Sequence, residues 1–104
     1  MTGTLDTFVG TKRGTATIST SAVAISASAF GFSSTEINAA QSAIVSCINN
    51  PVMLSYDGVA VTAADGTPLA PNAVVEVLGA INIRNLQFIR QGGTDGIVTI
   101  VLES

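Results

Sequence analysis

At 104 residues the chain fits one domain with a single modest core. Charged residues make up 11% of it, against roughly 25% in ordinary soluble proteins, and Ser, Thr, Ala, Asn and Gly stand where surface charge would be. A net charge of −3, with only Lys12, Arg13, Arg84 and Arg90 as cations, argues against nucleic-acid binding, which relies on clustered Lys and Arg. The absence of histidine and the single cysteine argue against an enzyme and leave no basis for a cofactor or metal centre.

A surface so poor in charge can be buried against a neighbour without stranding many unpaired ions. The composition is therefore read as a hint of assembly, with a monomer of neutral polar surface as the plain alternative.

Residues 1–14, MTGTLDTFVGTKRG, are Thr- and Gly-rich and carry too few apolar side chains for a core. They read as an N-terminal arm, disordered or laid along a neighbouring subunit, with Phe8 and Val9 as its anchors. The stretch lacks the basic-then-apolar order of a secretory signal. No apolar run approaches the ~20 residues that span a bilayer, so no membrane partner is expected.

Residues 15–104 read as one β domain. From 15 to 32 small polar and apolar residues alternate, which favours strands, with Ile18, Val23, Ile25, Phe30 and Phe32 as one buried face. The odd interval between Ile18 and Val23 places a turn or bulge at Thr20-Ser21. Residues 33–41 are ambiguous. Ser33 stands three residues ahead of Glu36, the capping-box spacing, and Ala39, Ala40 and Gln41 are good helix formers, so a helical turn competes with a loop.

Strands are expected over 42–48 and 52–56, joined across Asn49-Asn50-Pro51. Cys47, inside an apolar run, reads as a buried structural thiol. Asp57-Gly58 and Asp65-Gly66 bracket residues 59–63, a loop or short edge strand, and Pro68 and Pro71 keep 67–72 out of a central sheet position. The last three strands are placed at 74–78, 83–90 and 97–102, the final two joined across QGGTDG. In 97–102 both parities are apolar, as in a strand covered on both faces. Were that strand at a sheet edge, the second covering would have to come from another subunit. Seven or eight short strands with turns about ten residues apart imply an all-β, antiparallel β-sandwich of jelly-roll-like form.

Several residues invite a chemical reading. Asp57, Asp65 and Asp95 are hard oxygen ligands, but their Gly partners (Gly58, Gly66, Gly96) mark them first as turn residues. Glu36 and Glu76 would make a glycosidase-like pair only if the fold brought them together. Tyr56 can bury its ring and keep its hydroxyl at the rim, with carbohydrate stacking as the functional alternative. One tyrosine, four phenylalanines and no tryptophan are a poor supply of stacking platforms. Arg84 and Arg90, an even interval apart in an expected strand, would share a face and serve as subunit contacts.

From Ala43 onward the order of motifs resembles small structural β proteins encoded in tailed-bacteriophage virion gene clusters. The resemblance is carried by Tyr56, Asp57, Gly58, Thr62, Gly66, Leu69, Ile83, Phe88, Ile89, Arg90, Thr94, Asp95 and Val98. It departs at Val61-Thr62, where a Pro-Thr pair is expected, and at Asn72, where glycine is usual. It implies a non-enzymatic virion structural protein, foremost a capsid decoration or cement protein. A neck, tail or fibre-attachment component is the second implication, with a carbohydrate-binding module behind both. The partners so implied are further copies of the chain, as a trimer or ring, and the major capsid protein. The implied location is the virion, assembled in the host cytoplasm.

Overall fold

The structure, a computed structural model, describes residues 11–104, in which eight strands and two short helices are formed. In chain order they are β1 (Thr11–Ile18), β2 (Val23–Ala24), α1 (Ser34–Ala39), β3 (Ser42–Ile48), β4 (Val52–Ser55), β5 (Thr67–Leu69), β6 (Val74–Leu78), α2 (Ala80–Arg84), β7 (Gln87–Arg90) and β8 (Gly96–Glu103). The strands make two four-stranded sheets, ordered β1-β8-β3-β6 and β2-β7-β4-β5. All neighbours are antiparallel. The first strand pairs with the last, the second with the seventh, the third with the sixth and the fourth with the fifth. The chain is thus one long antiparallel ribbon rolled over on itself.

Period-two alternation explains the longer strands. In β1 the buried residues are Gly14, Ala16 and Ile18. In β3 they are Ala43, Val45 and Cys47, and in β8 Gly96, Val98, Ile100 and Leu102. These inward residues meet Val52, Leu54 and Phe88 of the second sheet in one core cluster. Phe88, wholly buried, lies 5.7 Å from the ring of Phe30, which stacks on Phe32 at 6.2 Å. Gly14 makes room for this aromatic group. A Cβ there would stand 2.4 Å from the Phe30 carbonyl oxygen and 2.8 Å from Phe32 Cζ.

The breaks in alternation are where the chain changes sheet. Residues 19–22, the expected turn, carry it from β1 in the first sheet to β2 in the second, and the Arg90 amide donates to Ser19 O at 3.0 Å. Asn49-Asn50-Pro51 carries it from β3 to β4, with Asn49 in the left-handed region at φ 75°. The ambiguous residues 33–41 resolve into α1, whose N-terminus has both bonds of a capping box. The Glu36 amide donates to Ser33 Oγ (3.1 Å), and the Ser33 amide donates to Glu36 Oε1 (2.8 Å).

Two expectations are corrected. Residues 83–90 are not one strand: Ile83 and Arg84 belong to α2, and β7 begins at Gln87. A helical turn lets Ile83 and Leu86, three apart and both wholly buried, reach the core together, whereas a strand would send them to opposite faces. The strand expected at 97–102 is present as β8, and it is flanked by β1 and β3. Finally, Thr11–Gly14 are not arm but the first half of β1, hydrogen-bonded along β8 in the register Thr11↔Glu103 to Gly14↔Ile100. The rest of the expected arm, Phe8 and Val9 included, lies outside the described residues.

Candidate interaction surface

The strand register of the first sheet fixes what its outward side presents. Reading across the sheet, four rows follow one another: Thr17, Ile97, Ile48; then Thr15, Thr99, Ser46, Val74; then Arg13, Val101, Ile44, Glu76; then Thr11, Glu103, Ser42, Leu78. Small hydroxyls alternate with branched apolar side chains, and the charges stand at the margins. Val74 and Leu78 on β6 are 64% and 60% exposed, and Ile48 is 42% exposed. Ile44, Ile97 and Val101 are half-buried by their own neighbours in the sheet.

Polar groups tie the strands across this face. Thr15 and Thr99 share a hydroxyl–hydroxyl bond of 3.1 Å. The Ser42 hydroxyl reaches both Glu76 Oε2 at 3.0 Å and Glu103 Oε1 at 3.3 Å. One hydroxyl hydrogen serves one of these carboxylates at a time, so the β6 margin holds negative charge with capacity for a further donor. The opposite margin carries Arg13, exposed on β1.

The second sheet is different. Every residue of β4 is buried, including Met53 and Ser55, whose parity turns them away from the core-facing Val52 and Leu54. The loop 56–66 returns toward this outer side. Ser55 Oγ lies 2.7 Å from Val59 O and 3.0 Å from Asp57 Oδ1, and the Val59 amide donates to the same carboxylate oxygen at 3.0 Å. The loop's Val61 is buried, with its Cγ2 where a Cβ on Gly66 would come within 3.0 Å. Those bonds to Val59 N–H and Ser55 hold the Asp57 carboxyl below the usual carboxylate range.

The residues singled out from sequence are scattered. Arg84 is exposed on α2, while Arg90 is on β7 with its Nη1 2.7 Å from Asp95 Oδ1, so the two do not share a strand face. Asp57 and Gly58 form a loop turn, with Gly58 at φ 86°. Asp65 closes a tight turn with Thr62 through two backbone bonds of 3.0 and 3.2 Å. Gly66 follows it at φ 154°. Gly96 is not a turn residue: it opens β8 and is buried beneath Asn50 O and Val52.

Glu36 is bonded to Ser33 and lies 3.7 Å from Lys12 Nζ, whereas Glu76 is bonded to Ser42, so the carboxylates answer to different partners. The Ser33 amide, more than Lys12, lowers the Glu36 pKa. Cys47 is buried, which pushes its thiol pKa up, and its Sγ lies 3.1 Å from Asn50 O. Tyr56, 43% exposed, borders two clefts of about 400 and 380 Å³. Among the described residues, no group of three or more Cys, Asp or Glu is placed to hold a metal ion.

The sequence reading missed the outward face of the first sheet, including Arg13 as a face residue and the Ser42–Glu76–Glu103 cluster. The doubly apolar β8 was its one visible trace. No protein-family model, no curated protein and no solved structure matches this chain.

Proposed function

We propose that this protein is a non-enzymatic structural module of a tailed-bacteriophage virion, acting as a decoration or cement protein that clamps neighbouring capsid subunits. The observation that carries the assembly reading is the outward face of the first sheet. Six branched apolar side chains, Ile44, Ile48, Val74, Leu78, Ile97 and Val101, stand there with small hydroxyls between them. Contiguous apolar area with a polar margin is what a protein contact uses.

The virion reading draws its support from the motif order noted from Ala43 onward. The strand orders 1-8-3-6 and 2-7-4-5 support a jelly-roll reading of the sandwich. That architecture recurs in viral capsid and lectin domains, which is an argument from fold-level analogy. Further copies of the chain and the major capsid protein are the proposed partners. Burial at roughly 25 cal/mol per Å² of apolar area, repeated by lattice symmetry, makes modest contacts cumulative.

Co-sedimentation of the purified protein with tailed-phage capsids lacking it tests the proposal. Saturable binding at a fixed ratio to the capsid subunit is expected. Protein left wholly in the supernatant would overturn the decoration role. The exposed Tyr56 beside its clefts favours a carbohydrate-binding module as the second reading, and a glycan array in which Tyr56→Ala abolishes a hit would establish it.

A further inference from the structure

We infer that the outward face of the first sheet is self-complementary, and that a second copy of this chain packs on it face to face about a two-fold axis parallel to the strands, between β8 and β3. The inference rests on the assembly reading and names the first partner. Its argument is the order of residues across the sheet. A two-fold axis along the strands turns each row end for end and lays it on its own reverse.

In the row Arg13, Val101, Ile44, Glu76, that operation sets Arg13 over the second copy's Glu76 and Val101 over its Ile44, and then each pair again in reverse. In the next rows Ile97 falls over Ile48, Thr99 over Ser46, Thr11 over Leu78, and Glu103 over the Ser42 hydroxyl. Apolar meets apolar at the centre, opposite charges meet at both margins, and no carboxylate faces a carboxylate.

Other arrangements fit worse. A two-fold axis across the strands would lay Ile97 over Glu103 and Ile48 over Ser42. Pairing of β6 edge to β6 edge would cover none of Val101, Ile44, Ile97 and Ile48, and centred on Glu76 it would set that carboxylate beside its own copy. With the axis tilted about 15° from the mean strand direction, the two faces cross at roughly 30° and pack about 10 Å apart, the aligned packing that twisted sheets adopt. That rotation displaces the margins most, and there the sequence has its long side chains, Arg13 and Glu76. An interface using one patch on both partners is the isologous kind, which closes as a dimer.

The test is light scattering and sedimentation velocity on the full-length protein over a wide concentration range, with variants Arg13→Glu, Glu76→Arg and the two combined. Twice the chain mass is expected for the wild-type protein. Each dimer holds two Arg13–Glu76 contacts, so either single reversal should weaken association about ten-fold or more, and the combined reversal should restore it. Both positions are exposed, and matching thermal melts confirm that each variant folds. Ile44→Lys, at the centre, should abolish the dimer in the same way.

A wild-type protein monomeric throughout, a trimer or larger ring, or a double reversal that restores nothing would each overturn the interface. A monomer that still sediments with capsids would overturn this interface while leaving the assembly reading standing. A charge-reversible dimer indifferent to capsids would establish the interface and remove the capsid role.

Discussion

The outer sides of the two sheets are treated in opposite ways by one short chain. On the second sheet, the loop 56–66 turns back and ties itself to Ser55, and the outward Met53 is as buried as core residues. On the first sheet, strands of up to eight residues leave an outward face with Val74 and Leu78 more than half exposed. A chain that needed only solubility would leave polar side chains outward on both sheets. One outer side is closed by the chain's own loop, while the other keeps exposed apolar side chains among its hydroxyls, and it is on the open side that the proposed contacts are placed.

That contrast can be broken or sharpened by substitution. The largest effect is expected where neither outer face is involved. A Cβ at Gly96 would stand 2.6 Å from Asn50 O and 2.8 Å from Val52 Cγ1. Gly96→Ala should therefore cost about 2–4 kcal/mol through backbone displacement, or prevent folding, in a urea denaturation series.

Next comes the direct comparison of the outer faces. Met53→Thr, on the closed side, should lose about 2–3 kcal/mol. Val74→Thr, on the open side, keeps the β-branched shape and should stay within about 0.5 kcal/mol of wild type. Equal losses in the two variants would refute the contrast.

The smallest effect is in acid. Asp57 is ionised more readily in the folded than in the unfolded chain, because Val59 N–H and Ser55 bond its carboxylate, and Glu36 likewise through the Ser33 amide and Lys12. A depressed folded pKa adds stability that is fully present above the ordinary values of 3.8 and 4.5 and is lost as pH falls through and beneath them. Asp57→Asn should lower the neutral plateau of a Tm-against-pH curve slightly and flatten its acid limb, so that the variant and the wild type converge at low pH.

The β character, strands β3 and β6, and the capped helix were legible because each rests on local chemistry. Alternation sets β3, flanking turn residues bound β6, and Ser33 with Glu36 reciprocally caps α1. The 83–90 stretch was misread because β-branched and aromatic residues suggest a strand, while the decision lay with the core. Ile83 and Leu86 can enter it together only if the chain makes a helical turn after Gly79, whose φ of 94° ends β6. Arg84 and Arg90 lost their common face for the same reason. The candidate interaction surface was legible only as a clue, in a last strand apolar on both parities.

The sequence by itself determined the all-β class, the turns, the buried Cys47 and the scarcity of surface charge, since these depend on single residues or on neighbours a few positions apart. Only the tertiary structure decided that β8 lies between β1 and β3. With that came the row of Arg13, Val101, Ile44 and Glu76, drawn from four strands as much as 88 positions apart in sequence (101 − 13). Pairing register is a property of the whole rolled ribbon. A slip by one residue would invert every side chain of a strand, and it is the burial of the inner face that holds the register and so fixes the order of the outer one.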